Sequence, residues 1–269
     1  MIGFRFPVPN RDVERQLMHT PITTRVTLPN LHRFWFVGVS AYLESVVHRI
    51  TTPRLEKLQI VFYNQLTFSV PRLLQFMNAT DSLRFESAKF MFSKEQVAVV
   101  VYPRGEAEMY ASSIWVCCWH LDWQVSSAAQ ISNALSQMFS AVEHLTFEHK
   151  EHSRSSEEHN EVDRIEWRKL LRSFRNVKTL HIAKGLVEEF SRCLQLEDGE
   201  LPLELLPELQ ELRYSGSPNT RDPFTSFMDV RQNAGRPVTL VNLNPGPSPS
   251  APSSSITPAI EEAGSGVDT

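Results

Sequence analysis

Three cysteines in 269 residues, two of them adjacent (Cys117 and Cys118), are too few for a disulfide framework. They suit reduced, buried thiols and point to a cytoplasmic or nuclear compartment. Long apolar runs are also missing, since nowhere do eighteen apolar residues follow one another. The start, MIGFRFPVPNRDVERQ, carries no basic segment leading into an apolar one. A soluble intracellular chain with no membrane contact is expected. Nor is there an excess of charge of one sign. With 27 Lys and Arg against 31 Asp and Glu, the formal net charge of −4 supplies no general drive towards nucleic acid or acidic lipid. The chain contains no glycine-rich phosphate loop, no G-x-S-x-G elbow and no paired-cysteine zinc spacing, so neither an enzyme nor a cofactor is expected.

What the chain does contain is a recurring apolar triplet, spaced three and then two. It stands at Leu55/Leu58/Ile60 and returns at Leu31/Phe34/Phe36, Val142/Leu145/Phe147, Val177/Leu180/Ile182 and Leu209/Leu212/Tyr214. Weaker copies lie around Leu83/Phe85 and Val116/Cys118. A short strand recurring every twenty-odd to thirty-odd residues, each followed by a helix-like segment, predicts an α/β fold: an irregular leucine-rich-repeat solenoid of parallel strands alternating with helices. The segments 82–92 and 96–102 are both β-favouring and separated by Ser93-Lys94-Glu95, which predicts one inserted hairpin. The solenoid domain is expected over 1–243. From Asn244 a Pro/Ser/Gly-rich stretch is too poor in apolar residues to fold and is expected to be a disordered tail, 244–269.

Side chains alternate along a strand, so Leu58 and Ile60 enter a core while Lys57 and Gln59 face away from it. Applied to every copy, this register lines one shared sheet surface with Trp35, Lys57, Gln59, Arg84, Trp115, Cys117, Trp119, His144, Thr146, Glu148, His181 and Arg213. That surface is the candidate protein-binding site. Other constellations have plainer explanations. His144, His149, His152 and His159 with Glu148, Glu151, Glu157 and Glu158 read as a solvated polar loop rather than a metal site. Arg164, Arg168, Arg172 and Arg175 share one side of a helix and, with Glu161, read as an exposed ion-paired face rather than a phosphate grip. His120 and Asp122 flank a leucine after a strand, and Asp122 fits a turn cap better than half of an acid–base pair.

The segments LEKLQIVFYNQLTFSVPRLLQFM, HLDWQVSSAAQI, FSAVEHLTFEH, WRKLLRSFRNVKTLHI, LLPELQELRYSGS and DVRQNAGRPVTLV together resemble the leucine-rich-repeat portion of fungal F-box proteins, especially the large basidiomycete paralogue families. The resemblance implies a substrate receptor of a cullin-RING ubiquitin ligase, in which an F-box holds a Skp-type adaptor and the repeats choose a substrate protein. Nothing before Thr24 resembles an F-box, so the adaptor is implied only if one lies upstream. A repeat scaffold or degenerate paralogue without a ligase role is the second expectation. A hydrolase using His120 and Asp122 is the third.

Overall fold

Nine strands hydrogen-bond into one mixed sheet in the order β11-β10-β9-β8-β5-β6-β7-β4-β2, in a computed structural model that describes residues 24–63, 67–80, 83, 85–103, 111–150, 162–196, 203–215 and 222–243. The strands are β2 (Arg33–Gly38), β4 (Lys57–Phe62), β5 (Phe85–Phe92), β6 (Gln96–Pro103), β7 (Ser112–Cys117), β8 (His144–His149), β9 (Thr179–Ile182), β10 (Glu211–Tyr214) and β11 (Thr239–Asn242). A separate two-stranded parallel pair joins β1 (Val26–Thr27) to β3 (Ile50–Thr51). Among the described residues seven α-helices intervene: α1 (Ser40–Val47), α2 (Pro71–Asn78), α3 (Leu121–Ala134), α4 (Ser136–Phe139), α5 (Val162–Leu171), α6 (Val187–Leu194) and α7 (Thr225–Asn233).

The α/β alternation is present, but the solenoid is not. In a solenoid each strand pairs with the next in sequence, whereas here β4 pairs with β7, and β8 pairs with β5. Strands β5, β6 and β7 form an antiparallel meander that occupies the middle of the sheet. The physical cause is connection length. Only residues 93–95 separate β5 from β6, and parallel strands need a crossover of about a dozen residues or more, so these two can pair only antiparallel. The expected hairpin is therefore no insertion into one repeat; it is the centre about which the repeat order breaks.

The apolar triplets still align in columns across the pairing. Phe36, Ile60, Ile114, Val99, Phe90, Phe147, Ile182 and Tyr214 occupy successive register positions. All seven helices send side chains into the core cluster that these columns begin, so the helices cover one face of the sheet. An aromatic group forms its densest part. Trp167 meets Phe190 at 4.8 Å and Phe92 at 5.3 Å, while Phe147 stacks on Phe90 at 5.0 Å. Burying such large rings is the dominant favourable contribution to this layer.

Two arginines serve this architecture from inside it. Arg231 on α7 is fully buried and donates to the carbonyls of Leu206, Pro207 and Leu209, at 3.2, 3.2 and 3.0 Å. It pins the turn in which Leu206 adopts a positive φ of 49°. Arg168, also buried, donates to the carbonyls of Cys193 and Gln195 at the end of α6, and Arg164 reaches Gln195 as well. These two are structural tethers of a helix C-terminus, where orphan carbonyls favour cations, and not part of an exposed ion-paired face. Helix α7 stops at Gly235, whose φ of 72° suits a residue without Cβ.

Several expected features lie outside the described residues: the start through Ile22, Arg84, the polar run 151–161 and the tail 244–269. Among the described residues no helix is long and apolar enough to cross a membrane.

Candidate open face of the sheet

The face turned away from the helices is built from the alternate positions of each strand. Its middle row runs Trp35, Gln59, Ser113, Val100, Lys89, Thr146, His181 and Arg213 across β2, β4, β7, β6, β5, β8, β9 and β10. Five of these, Trp35, Gln59, Thr146, His181 and Arg213, are sequence candidates. The next row contains Val61, Trp115, Ala98, Met91 and Glu148, and on the other side His144 lies beside Ser87. Lys57 stands two residues before Gln59 on β4, hence on the same side, and is half-buried. Cys117 lies opposite Gln96 on β6. Trp119 is not on the sheet; it sits in the bend before α3 and is 61 % exposed, near the exposed Trp123.

This face has two unlike halves. Ala98 and Val100 on β6 and Ala111 just before β7 are buried against Trp115, Met91 and Tyr102, forming a small second apolar cluster separate from the main core. Trp115 is held in place by its indole N–H, which donates to Ser113 Oγ at 2.9 Å. Beyond it, Trp35 on the edge strand is 72 % exposed. The other half is ion-paired. Lys89 meets Glu148 at 2.7 Å, and Arg213 forms a two-pronged contact with Glu211 at 2.8 and 3.1 Å. That contact holds the Glu211 carboxyl below, and the Arg213 guanidinium above, their ordinary values.

His181 sits between these pairs. Burial lowers its pKa, opposed by Glu148 and assisted by Arg213 and Lys89, so its imidazole is neutral at pH 7. Its Nε2 is buried and, among the described residues, takes no hydrogen bond. Burial raises the pKa of Cys117 and pushes that of Cys118 up to about 12, so neither of these two thiols is activated towards the thiolate.

Compared with protein-family models, with curated proteins and with solved structures, the chain matches none of them.

The remaining sequence candidates separate in space. His144 and His149 belong to one strand but are five residues apart and so face opposite sides of it; His152, His159, Glu151, Glu157 and Glu158 lie outside the described residues. Glu86, Glu143 and His144 bring ligand atoms within 4.8 Å of one another, but Glu143 also pairs with Lys178 at 2.8 Å, so a cation already shares that cluster. His120 packs edge-on against Trp123 at 5.2 Å. Asp122 lies in the first turn of α3, where a carboxylate favours the helix N-terminus.

Sequence reasoning missed Ser113, Val100, Lys89, Met91, Ala98 and Tyr102. One signal was present: Val97-Ala98-Val99-Val100-Val101 is a continuous apolar run, the mark of a strand covered on both faces.

Proposed function

We propose that this chain is a protein-binding module whose partner lies on the open face of the sheet. One observation carries the proposal. Eight of the nine strands run in one direction, and sheets dominated by parallel strands are ordinarily covered on both faces, yet among the described residues the helices cover only one. The aromatic half of the open face supplies the anchor that such contacts use, with Trp35 projecting and Trp115 fixed over small apolar residues. The ion-paired half supplies orientation and a polar rim.

The class of partner follows from the sequence segments that resemble F-box proteins: a protein chosen for ubiquitin transfer. Contact with a Skp-type adaptor belongs to the F-box and is expected only of a chain that carries one. Proximity labelling with the wild type and with a Trp35→Glu/Gln59→Glu variant tests the surface. A defined set of proteins should disappear with the variant while its thermal melt stays unchanged. An identical labelled set in both would rule the open face out as the contact surface. Enrichment of ubiquitin-ligase subunits in the set lost would support the ligase link, and a set lost without them would favour a scaffold with no ligase role.

A further inference from the structure

On the helix layer, α3 and α4 face α5 across a cleft of about 740 Å³, a size that suits a small ligand. One wall is uncharged. Ser126, Gln130, Asn133, Gln137 and Ser140 recur at steps of four, three, four and three, so they form one stripe along α3 and α4. The Gln137 Oε1 is already taken by Asn78 Nδ2 at 3.1 Å, which leaves its amide N–H groups as the available end. The facing wall is cationic: Lys169, Arg172 and Arg175 stand against the single carboxylate of Glu166. Lys169 pairs with Glu166 at 2.6 Å and Arg172 with Glu204 at 2.7 Å, whereas among the described residues Arg175 carries no ion pair and is exposed. The cleft stays open because its other residues, Ala129, Ser136 and Ser173, are small.

We propose that this cleft binds a small molecule carrying a phosphate monoester. Three cations face two carboxylates, Glu166 and Glu204, so one positive charge is left over on Arg175, and a phosphate monoester presents three oxygens and nearly two charges to it and to the remaining N–H donors of Lys169 and Arg172. The hydroxyl and amide wall opposite suits a hydroxylated body rather than an apolar one. Of the four arginines on and just after α5, two are committed to the end of α6 and Arg172 is paired with Glu204, so the anion falls first to Arg175, with Lys169 and Arg172 as flanking donors. The site is independent of the open face, because the cleft is lined entirely from the helix layer.

Isothermal titration of the full chain at constant ionic strength, with inorganic phosphate, glucose 6-phosphate, glucose and a phosphoserine peptide, tests the proposal. Inorganic phosphate should bind at one site with a Kd on the order of 1 mM, glucose 6-phosphate several-fold tighter, and glucose not at all. Arg175→Ala should weaken glucose 6-phosphate about tenfold, and Lys169→Ala/Arg175→Ala should abolish its binding, with circular dichroism unchanged. Arg236→Ala, outside the cleft, should bind as the wild type does. No saturable binding, or equal binding by the Arg175 variant, overturns the site. Glucose 6-phosphate no tighter than inorganic phosphate overturns the claim that a ligand body fills the cleft, and a phosphoserine peptide tighter than both overturns the assignment to a small molecule.

Discussion

The two faces of the sheet are made by the same strands and have opposite consequences. On the covered face, Phe90, Phe147, Ile182 and their neighbours are sealed under seven helices, and each ring touches others. On the open face, one residue earlier on the same strands, Lys89, Thr146 and His181 meet solvent or each other. Only around β6 does the open face turn inward, where Ala98 and Val100 are nearly as buried as the core. The lesson is that a pleated strand separates stability from recognition by a single residue step: the covered side holds the fold, and the other side is free to vary.

This contrast is sharpest at Trp167. Its side chain is fully buried among Phe92, Phe147 and Phe190, so Trp167→Ala should cost about 3–5 kcal/mol by urea denaturation. Trp167→Phe should cost far less, because it also removes an indole N–H that is buried without a partner among the described residues. Arg231→Ala comes next, at about 3 kcal/mol in the same assay, since three carbonyls of the turn at 206–209 lose their donor together. On the open face, Trp115→Ala should cost about 1 kcal/mol by uncovering Ala98 and Val100, and a loss equal to that of Trp167→Ala would erase the distinction between the faces.

A smaller effect is expected in the pH dependence of stability. The folded state lowers the pKa of His181 from its ordinary 6.5, so the folded chain binds fewer protons there than the unfolded one. Its contribution is complete above pH 6.5 and is lost as pH falls through the lowered folded value. His181→Gln should therefore flatten the decline in melting temperature below pH 6.5 relative to the wild type, and an unchanged slope would contradict a neutral buried imidazole. Smallest of all, Trp35→Ala should shift stability by no more than about 0.5 kcal/mol, because the side chain is 72 % exposed.

Much of the local structure was legible in the chain itself. The triplets at Leu58/Ile60, Leu145/Phe147, Leu180/Ile182 and Leu212/Tyr214 fall on strands with those residues buried, and Trp167, Leu170, Leu171 and Phe174 are all buried at or just after α5. The open-face register was legible for the same reason, since alternation is a property of each strand alone. The meander was not, because regular intervals between triplets carry no information about which strands pair. The run at Val97 to Val101 held the missing clue: a strand apolar on both sides belongs in the middle of a sheet and not on an inserted hairpin. The arginines on α5 misled because helical spacing placed them on one side without revealing that α6 ends against two of them.

By itself, then, the sequence determined which residues form strands and helices and which side of each is apolar, because those patterns are set within a few residues of chain. The order β4-β7-β6-β5-β8, the burial of a small apolar cluster on the open face and the opening of a polar cleft between α3 and α5 were decided only by tertiary structure. Each depends on hydrogen-bonding and packing partners far apart in the chain. The three-residue turn fixes only the antiparallel pairing of β5 with β6; which strands flank that meander is set by partners distant in the chain, β4 on β7 and β8 on β5.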